Sequence, residues 1–319
     1  KTINCGGKIM AVDTNVITLG EVLQYFQQEV GSLYPEPEFR SIRRIMFEKL
    51  AHVNAVDFHL KPQLEIPRET FEKIVATTER LKNYEPLQYI LGNVDFMGLS
   101  LRITPAVLIP RPETEELVDW IIKTHKFNEN RILDIGTGSG CIAIALDKLM
   151  IHSQTDGIDI SDKALELAEE NSYMNESIVN FFNYDILEGL SGKNAHLFKE
   201  YYDIIVSNPP YVTESEKAMM HRNVLDYEPH IALFVEDADP LKFYRAIADF
   251  ARIKLEWGGF LYFEINPRFH KEIMEMLSLK GFRNIQLRND INGKPRMIRA
   301  QIKLFKKGDN PELEKFRQI

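Results

Sequence analysis

The residues with the clearest chemical content are Asn208-Pro209-Pro210-Tyr211, which follow the run Tyr202-Asp203-Ile204-Ile205-Val206-Ser207. Ile204, Ile205 and Val206 are β-branched and contiguous, the pattern of a parallel strand buried on both faces. Two consecutive prolines cannot donate to a sheet ladder, so the strand ends near Asn208. Asn208 and Tyr211 then sit at the carboxyl edge of a sheet, where open α/β folds bind ligands. The Asn208 carboxamide offers both a donor and an acceptor to a second planar amide or amine. Pro209 and Pro210 leave backbone carbonyls without a competing N–H, and the Tyr211 ring can cover a flat group by stacking. A planar nitrogen is a poor nucleophile because its lone pair is delocalised. Holding it desolvated and in line with an electrophile contributes about 7–11 kcal/mol. No general base is needed before attack, because the proton leaves after the new bond to nitrogen has formed. The bland alternative is a proline turn that merely ends a strand.

A second constellation supplies a partner for that nitrogen. The predicted strand Arg131–Ile135 runs into Asp134-Ile135-Gly136-Thr137-Gly138-Ser139-Gly140 and then a helix. Alternate glycines let the backbone turn tightly and approach a ligand closely, and the helix start offers free N–H groups. Asp159 ends the next strand, about 20 residues on, where a carboxylate accepts from ribose hydroxyls. Asp185, just past a third strand, is a candidate acceptor for the exocyclic amine of an adenine. NAD, FAD and S-adenosylmethionine all carry adenosine and fit this pattern. The glycine spacing departs from G-x-G-x-x-G, and no second mononucleotide half follows Asp185. The fourth strand, with its Asn-Pro-Pro-Tyr end, decides for the methyl donor.

The elements that position these residues follow from periodicity. Residues 11–85 read as a helical domain, with stripes Leu19/Val22/Leu23/Phe26/Val30, Phe39/Ile42/Ile45/Met46/Leu50 and Phe71/Ile74/Val75/Leu81 at helical spacing. Residues 86–104 read as a β-hairpin connector, with strands at Tyr89–Leu91 and Leu99–Ile103 around a turn containing Gly98. Pro112 with Glu113, Glu115 and Glu116 makes a good helix start. From Arg131 strands and helices alternate, predicting an α/β doubly wound sheet over residues 105–306. Its last two strands, Ile285–Arg288 and Met297–Lys303, flank the turn signal Asn292-Gly293, so one of them runs antiparallel. Residues 307–319 form a charged tail. Met10-Ala11-Val12 resembles an ordinary start, so the residues before Met10 are set aside as an upstream remnant.

Composition sets bounds on all of this. The 319 residues are 44% hydrophobic and 27% charged, as in an ordinary globular protein, and suffice for two domains. A net charge of −8 disfavours a stable nucleic-acid partner. The two cysteines, Cys5 and Cys141, suggest no disulfide framework, and the histidines form no i,i+4 pair, so no metal site is expected. No apolar run reaches the roughly 20 residues of a membrane span, and the cytoplasm is the expected compartment.

Asp134–Gly140 together with Asn208–Tyr211 resembles the class I, Rossmann-like S-adenosylmethionine-dependent methyltransferases of planar nitrogens. Pro110-Arg111-Pro112-Glu113-Thr114-Glu115 and Pro86-Leu87-Gln88-Tyr89-Ile90-Leu91-Gly92 narrow the resemblance to one family. It is the HemK/PrmC family of bacterial protein-(glutamine-N5) methyltransferases, and the likeness runs from about Glu85 to Ala300. The resemblance implies a seven-stranded, mostly parallel sheet with an antiparallel last strand, and a substrate-recognising helical domain. It implies S-adenosyl-L-methionine as donor, S-adenosyl-L-homocysteine as product, and the Gly-Gly-Gln glutamine of class I peptide chain release factors as acceptor. By the same resemblance Gly136, Thr137, Gly138, Ser139 and Gly140 line the methionine end of the donor and Asp159 holds its ribose. Asp185 and Ile186 border the adenine, where some relatives carry tryptophan instead of Ile186. Asn208, Pro209, Pro210 and Tyr211 clamp the glutamine, with Asn208 also bordering the donor. Asn223–Pro229 fits the family as a segment folded over the acceptor, or as a packed surface loop. Two other readings remain: an adenine-N6 nucleic-acid methyltransferase, which shares Asn-Pro-Pro-Tyr, and a non-catalytic donor-binding factor.

Overall fold

The computed structural model describes residues 3–5, 8–10, 17–125 and 128–302, the first two stretches as backbone only. The chain divides into two compact units, Lys1–Leu91 and Gly92–Ile319. The 307–319 tail lies outside the described residues.

In the first unit, β1 (Ile3–Cys5) pairs antiparallel with β2 (Lys8–Met10). Then come β3 (Ile17–Thr18), α1 (Leu19–Val30), α2 (Glu36–Ala51), α3 (Asp57–Leu60), β4 (Glu65–Ile66), α4 (Arg68–Lys82) and α5 (Leu87–Leu91). Helix α1 starts because Thr18 and Glu21 form a reciprocal capping box. Its buried stripe, Leu19, Val22, Phe26 and Val30, meets Phe39 and Phe47 of α2, with Phe26 stacked on Phe39 at 5.4 Å. Tyr34 donates to the carbonyl of Leu81 at 2.7 Å and ties the α1–α2 loop to the end of α4.

One expectation fails here: Tyr89-Ile90-Leu91 is helical, not a strand. Ile90 N–H donates to the Pro86 carbonyl at 3.1 Å, and Gly92 at φ +75° stops the helix. Leu87 and Tyr89 are buried, and Leu87, Ile90 and Leu91 pack with the helical core. A three-residue apolar run has no period of its own, so burial decides its conformation. The hairpin is correspondingly shorter and belongs to the second unit, as β5 (Asn93–Phe96) and β6 (Leu99–Arg102). Met97 and Gly98, at φ +50° and +80°, make the tight two-residue turn between them.

After the hairpin the second unit runs α6 (Pro112–His125), β7 (Arg131–Ile135), α7 (Cys141–Leu149), β8 (Gln154–Asp159), α8 (Asp162–Met174), β9 (Asn180–Asn183) and β10 (Tyr202–Ser207). It continues with β11 (Val212–Thr213), α9 (Arg222–Leu225), β12 (Phe234–Val235), α10 (Lys242–Lys254), β13 (Leu255–Glu264), α11 (His270–Leu279), β14 (Phe282–Asn289) and β15 (Pro295–Ile302). The main sheet has seven strands in the order β14-β15-β13-β10-β7-β8-β9. Strands β7 to β10 and β13 pair parallel, and β15 lies antiparallel between β13 and β14. Successive strand residues feed opposite faces: Ile204 and Val206 pack with Leu117 and Ile121 of α6, Ile205 with Ile247 of α10. From β7 the chain winds outward to β9, then returns to β10 on the other side of β7. The loops after β7 and β10 are therefore neighbours at the switch point, where a crevice opens. No helix among the described residues is long and apolar enough to cross a membrane.

Candidate active site

The crevice is a cleft of about 310 Å³ at the carboxyl edge of the sheet. One wall is the loop after β7. The N–H groups of Gly136 and Thr137 both reach the Ile158 carbonyl, at 2.9 and 2.8 Å, and hold the loop against β8. Gly136 and Gly138 have positive φ, and a Cβ on either would project into open space. Thr137 and Ser139 also line the cleft. Gly140 does not share that exposure. At φ +80° it precedes α7, and a Cβ there would meet Ile144 Cδ1 at 2.9 Å, Ala168 Cβ at 3.2 Å and Phe181 Cζ at 3.3 Å. Its positive φ favours glycine, and the close neighbours beneath the loop leave little room for a side chain.

Asp159, Asp185 and Ile186 continue this wall. Asp159 Oδ2 accepts from Gly138 N–H and Oδ1 from Ser161 N–H, both at 2.9 Å. Burial raises its pKa, opposed by these backbone donors. Asp185 Oδ1 accepts from Leu187 N–H at 2.9 Å and so caps the turn that carries Ile186. Beneath the loop, Thr137 Oγ1 donates to the fully buried Asp134 at 2.7 Å. Burial pushes the Asp134 pKa up to about 7.

The opposite wall is the turn after β10. Ser207 Oγ donates to the Ile135 carbonyl at 2.7 Å, stitching the ends of β7 and β10 together. Asn208, Pro209 and Pro210 line the cleft with the glycine loop. Asn208 Nδ2 lies 3.3 Å from Thr114 Oγ1 on α6, and Thr114 donates in turn to Glu264 Oε2 at 2.7 Å. Tyr211 donates to the other oxygen of Glu264 at 3.0 Å, and its ring packs against the core under α10. Asn266 Nδ2 reaches the Tyr211 carbonyl at 3.0 Å and pins the backbone of the turn. Burial raises the pKa of Glu264, opposed by the hydrogen bonds from Thr114 and Tyr211.

Glu228 belongs to the segment Asn223–Pro229. Its carboxylate is buried, accepts from Ile109 N–H at 3.3 Å and pairs with Arg111 at 2.5 Å. Arg111 lines the cleft, so this segment is tied to its rim. Thr114 and Glu264 were not among the residues expected from sequence. Glu264 left a signal: it is the one acidic residue in the apolar strand end Phe260–Ile265. Thr114 stands in the segment that carries the family resemblance, but among helix-start residues that a cap alone explains.

Comparison with known proteins bears on this geometry. The PrmC N-terminal domain family matches residues 21–92, and the Methyltransferase small domain family matches residues 114–227. The release factor glutamine methyltransferase of Flavobacterium psychrophilum is 43% identical over 282 residues, 87% of this chain and 97% of that one. This chain belongs to the release factor glutamine methyltransferase family. The family member of Bacteroides thetaiotaomicron is 41% identical over 284 residues, 88% of this chain and 99% of its own length. Among solved structures, the catalytic domain of hMettl16 in complex with MAT2A 3′UTR hairpin 6 aligns at TM-score 0.50 and 16% identity, covering 76% of this chain and 84% of that chain. That likeness concerns the fold alone.

Proposed function

We propose that this chain transfers a methyl group from S-adenosyl-L-methionine to N5 of the glutamine in the Gly-Gly-Gln motif of class I peptide chain release factors. The observation that carries the reading is that the glycine loop after β7 and the Asn208–Pro210 turn after β10 open into one cleft, in a member of this family. The cleft suits the donor: positions 136 and 138 carry no side chain where a Cβ would enter open space, and two carboxylates and Ile186 border the same wall. Gly136, Thr137, Gly138 and Ser139 would hold its methionine end, with Gly140 supporting the loop from below. Asp159 would hold the ribose, and Asp185 with Ile186 the adenine. When bound, S-adenosylmethionine supplies an electrophilic methyl group on a sulfonium sulfur and leaves as S-adenosylhomocysteine.

The chain's own part is orientation. Asn208 and the carbonyls of the proline turn accept the N–H groups of the glutamine amide and turn its nitrogen toward the donor wall. Tyr211 fixes the end of the turn through Glu264. The nitrogen gives up one proton once the methyl group is attached, so no side chain has to take it beforehand. The helical unit recognises the release factor, and the compartment is the cytoplasm, where translation terminates.

The test is mass mapping of a release factor incubated with the purified protein and isotope-labelled donor. One added methyl on the Gly-Gly-Gln glutamine is expected. Label found in DNA or RNA but not in protein, or donor binding without turnover on any release factor, overturns the reading.

A further inference from the structure

Glu264 is buried at the carboxyl end of β13, in a strand end otherwise apolar from Phe260 to Ile265. A buried carboxylate is costly to desolvate, and an apolar residue would suit this strand better for stability alone. Its two oxygens collect both ends of the acceptor turn. Tyr211 donates to Oε1 at 3.0 Å, while Thr114 donates to Oε2 at 2.7 Å and meets Asn208 Nδ2 at 3.3 Å.

The order of atoms fixes a polarity. Both oxygens of Glu264 accept, one from Tyr211 and one from Thr114, so the Thr114 hydroxyl spends its hydrogen on Glu264 and turns a lone pair to Asn208. That lone pair draws in Nδ2, the donor end of the carboxamide. Oδ1 is the atom left for the substrate. Thr114 lines the cleft, whereas Glu264 stands behind it and acts only through its neighbours.

We propose that Glu264 is a positioning residue for methyl transfer, acting through Thr114 to hold the Asn208 carboxamide with its oxygen toward the substrate nitrogen. The inference rests on the function proposed above, and its test separates the two. Glu264→Gln keeps the shape but can donate to Thr114, which allows the whole chain of hydrogen bonds to reverse. Turnover on a release factor is expected to fall about 100-fold, the scale of a misoriented reactant. The melting temperature is not lowered, and affinity for S-adenosylhomocysteine by calorimetry is unchanged. Thr114→Val loses turnover similarly, and Thr114→Ser, which keeps the hydroxyl, runs about tenfold faster than Thr114→Val. The side-chain amide NMR signal of Asn208 shifts in Glu264→Gln without any substrate present.

Wild-type turnover in Glu264→Gln overturns the inference. So does a loss that tracks a lower melting temperature and weaker S-adenosylhomocysteine binding, which marks a structural role. If the wild-type protein leaves release factors unmodified, the proposed function fails, and an unmoved Asn208 signal then decides against the relay independently.

Discussion

Arg111 and Glu228, 117 residues apart in the chain, form an ion pair at 2.5 Å in which the carboxylate is buried and the guanidinium one-third exposed. Glu228 also accepts from the backbone of Ile109, so one carboxylate fastens both segments at the rim of the cleft. Arg111→Ala leaves that carboxylate buried without its cation, and a loss of about 2 kcal/mol is expected. Urea denaturation of wild type and variant measures it. A midpoint unchanged by Arg111→Ala would show that the pair carries no net stability.

The two kinds of glycine in the loop after β7 separate in their effects. Gly138→Ala sends a methyl group into the cleft, where nothing opposes it, at the cost of a positive φ. A stability loss of about 1–2 kcal/mol, with a large loss of S-adenosylhomocysteine affinity, is expected. Gly140→Ala drives its methyl group into Ile144, Ala168 and Phe181. Overpacking adds about 1–3 kcal/mol to the backbone strain there, so its melting temperature falls further. Calorimetry and thermal melts on the pair distinguish the two roles.

Asp134 makes stability depend on pH. Its pKa rises from 3.8 to about 7 on folding because it is buried. Between those values the folded chain keeps the proton and the unfolded chain releases it, so unfolding liberates a proton and stability falls as pH rises. Asp134→Asn still accepts from Thr137 but cannot ionise. The stability difference between variant and wild type should therefore shift in the variant's favour from pH 4 to pH 7. A constant difference across that range would show that Asp134 is not protonated in the folded state.

Asn208→Ala removes the group that orients the acceptor and leaves the glycine wall intact. Turnover on a release factor is expected to fall by at least about 100-fold, with S-adenosylhomocysteine affinity retained. Single-turnover kinetics with calorimetry measures both, and an undiminished rate would rule out the clamp.

The parts of this architecture written locally were legible in the sequence. A β-branched run stopped by two prolines is a strand end whatever surrounds it, and the glycines after Ile135 announce a tight turn into a helix. Ile204, Ile205 and Val206 are buried in the middle of the sheet as their run predicts. What escaped was written across the fold. Tyr89–Leu91 has strand-like residues, yet its burial against the helical core makes it a helix. Thr114 meets Glu264 across 150 residues, a pairing that neither local sequence implies.

That separation has a consequence for how the protein is made. During synthesis, the helix bearing Thr114 and the turn bearing Asn208 emerge well before Glu264, and β13 has to dock beside β10 before the three can meet. Closing so long a loop comes late, after the local helices and hairpin have formed. Acceptor-site competence is thus a report on completed folding, because a chain halted before β13 lacks Glu264, the group that joins Thr114 to Tyr211 behind Asn208.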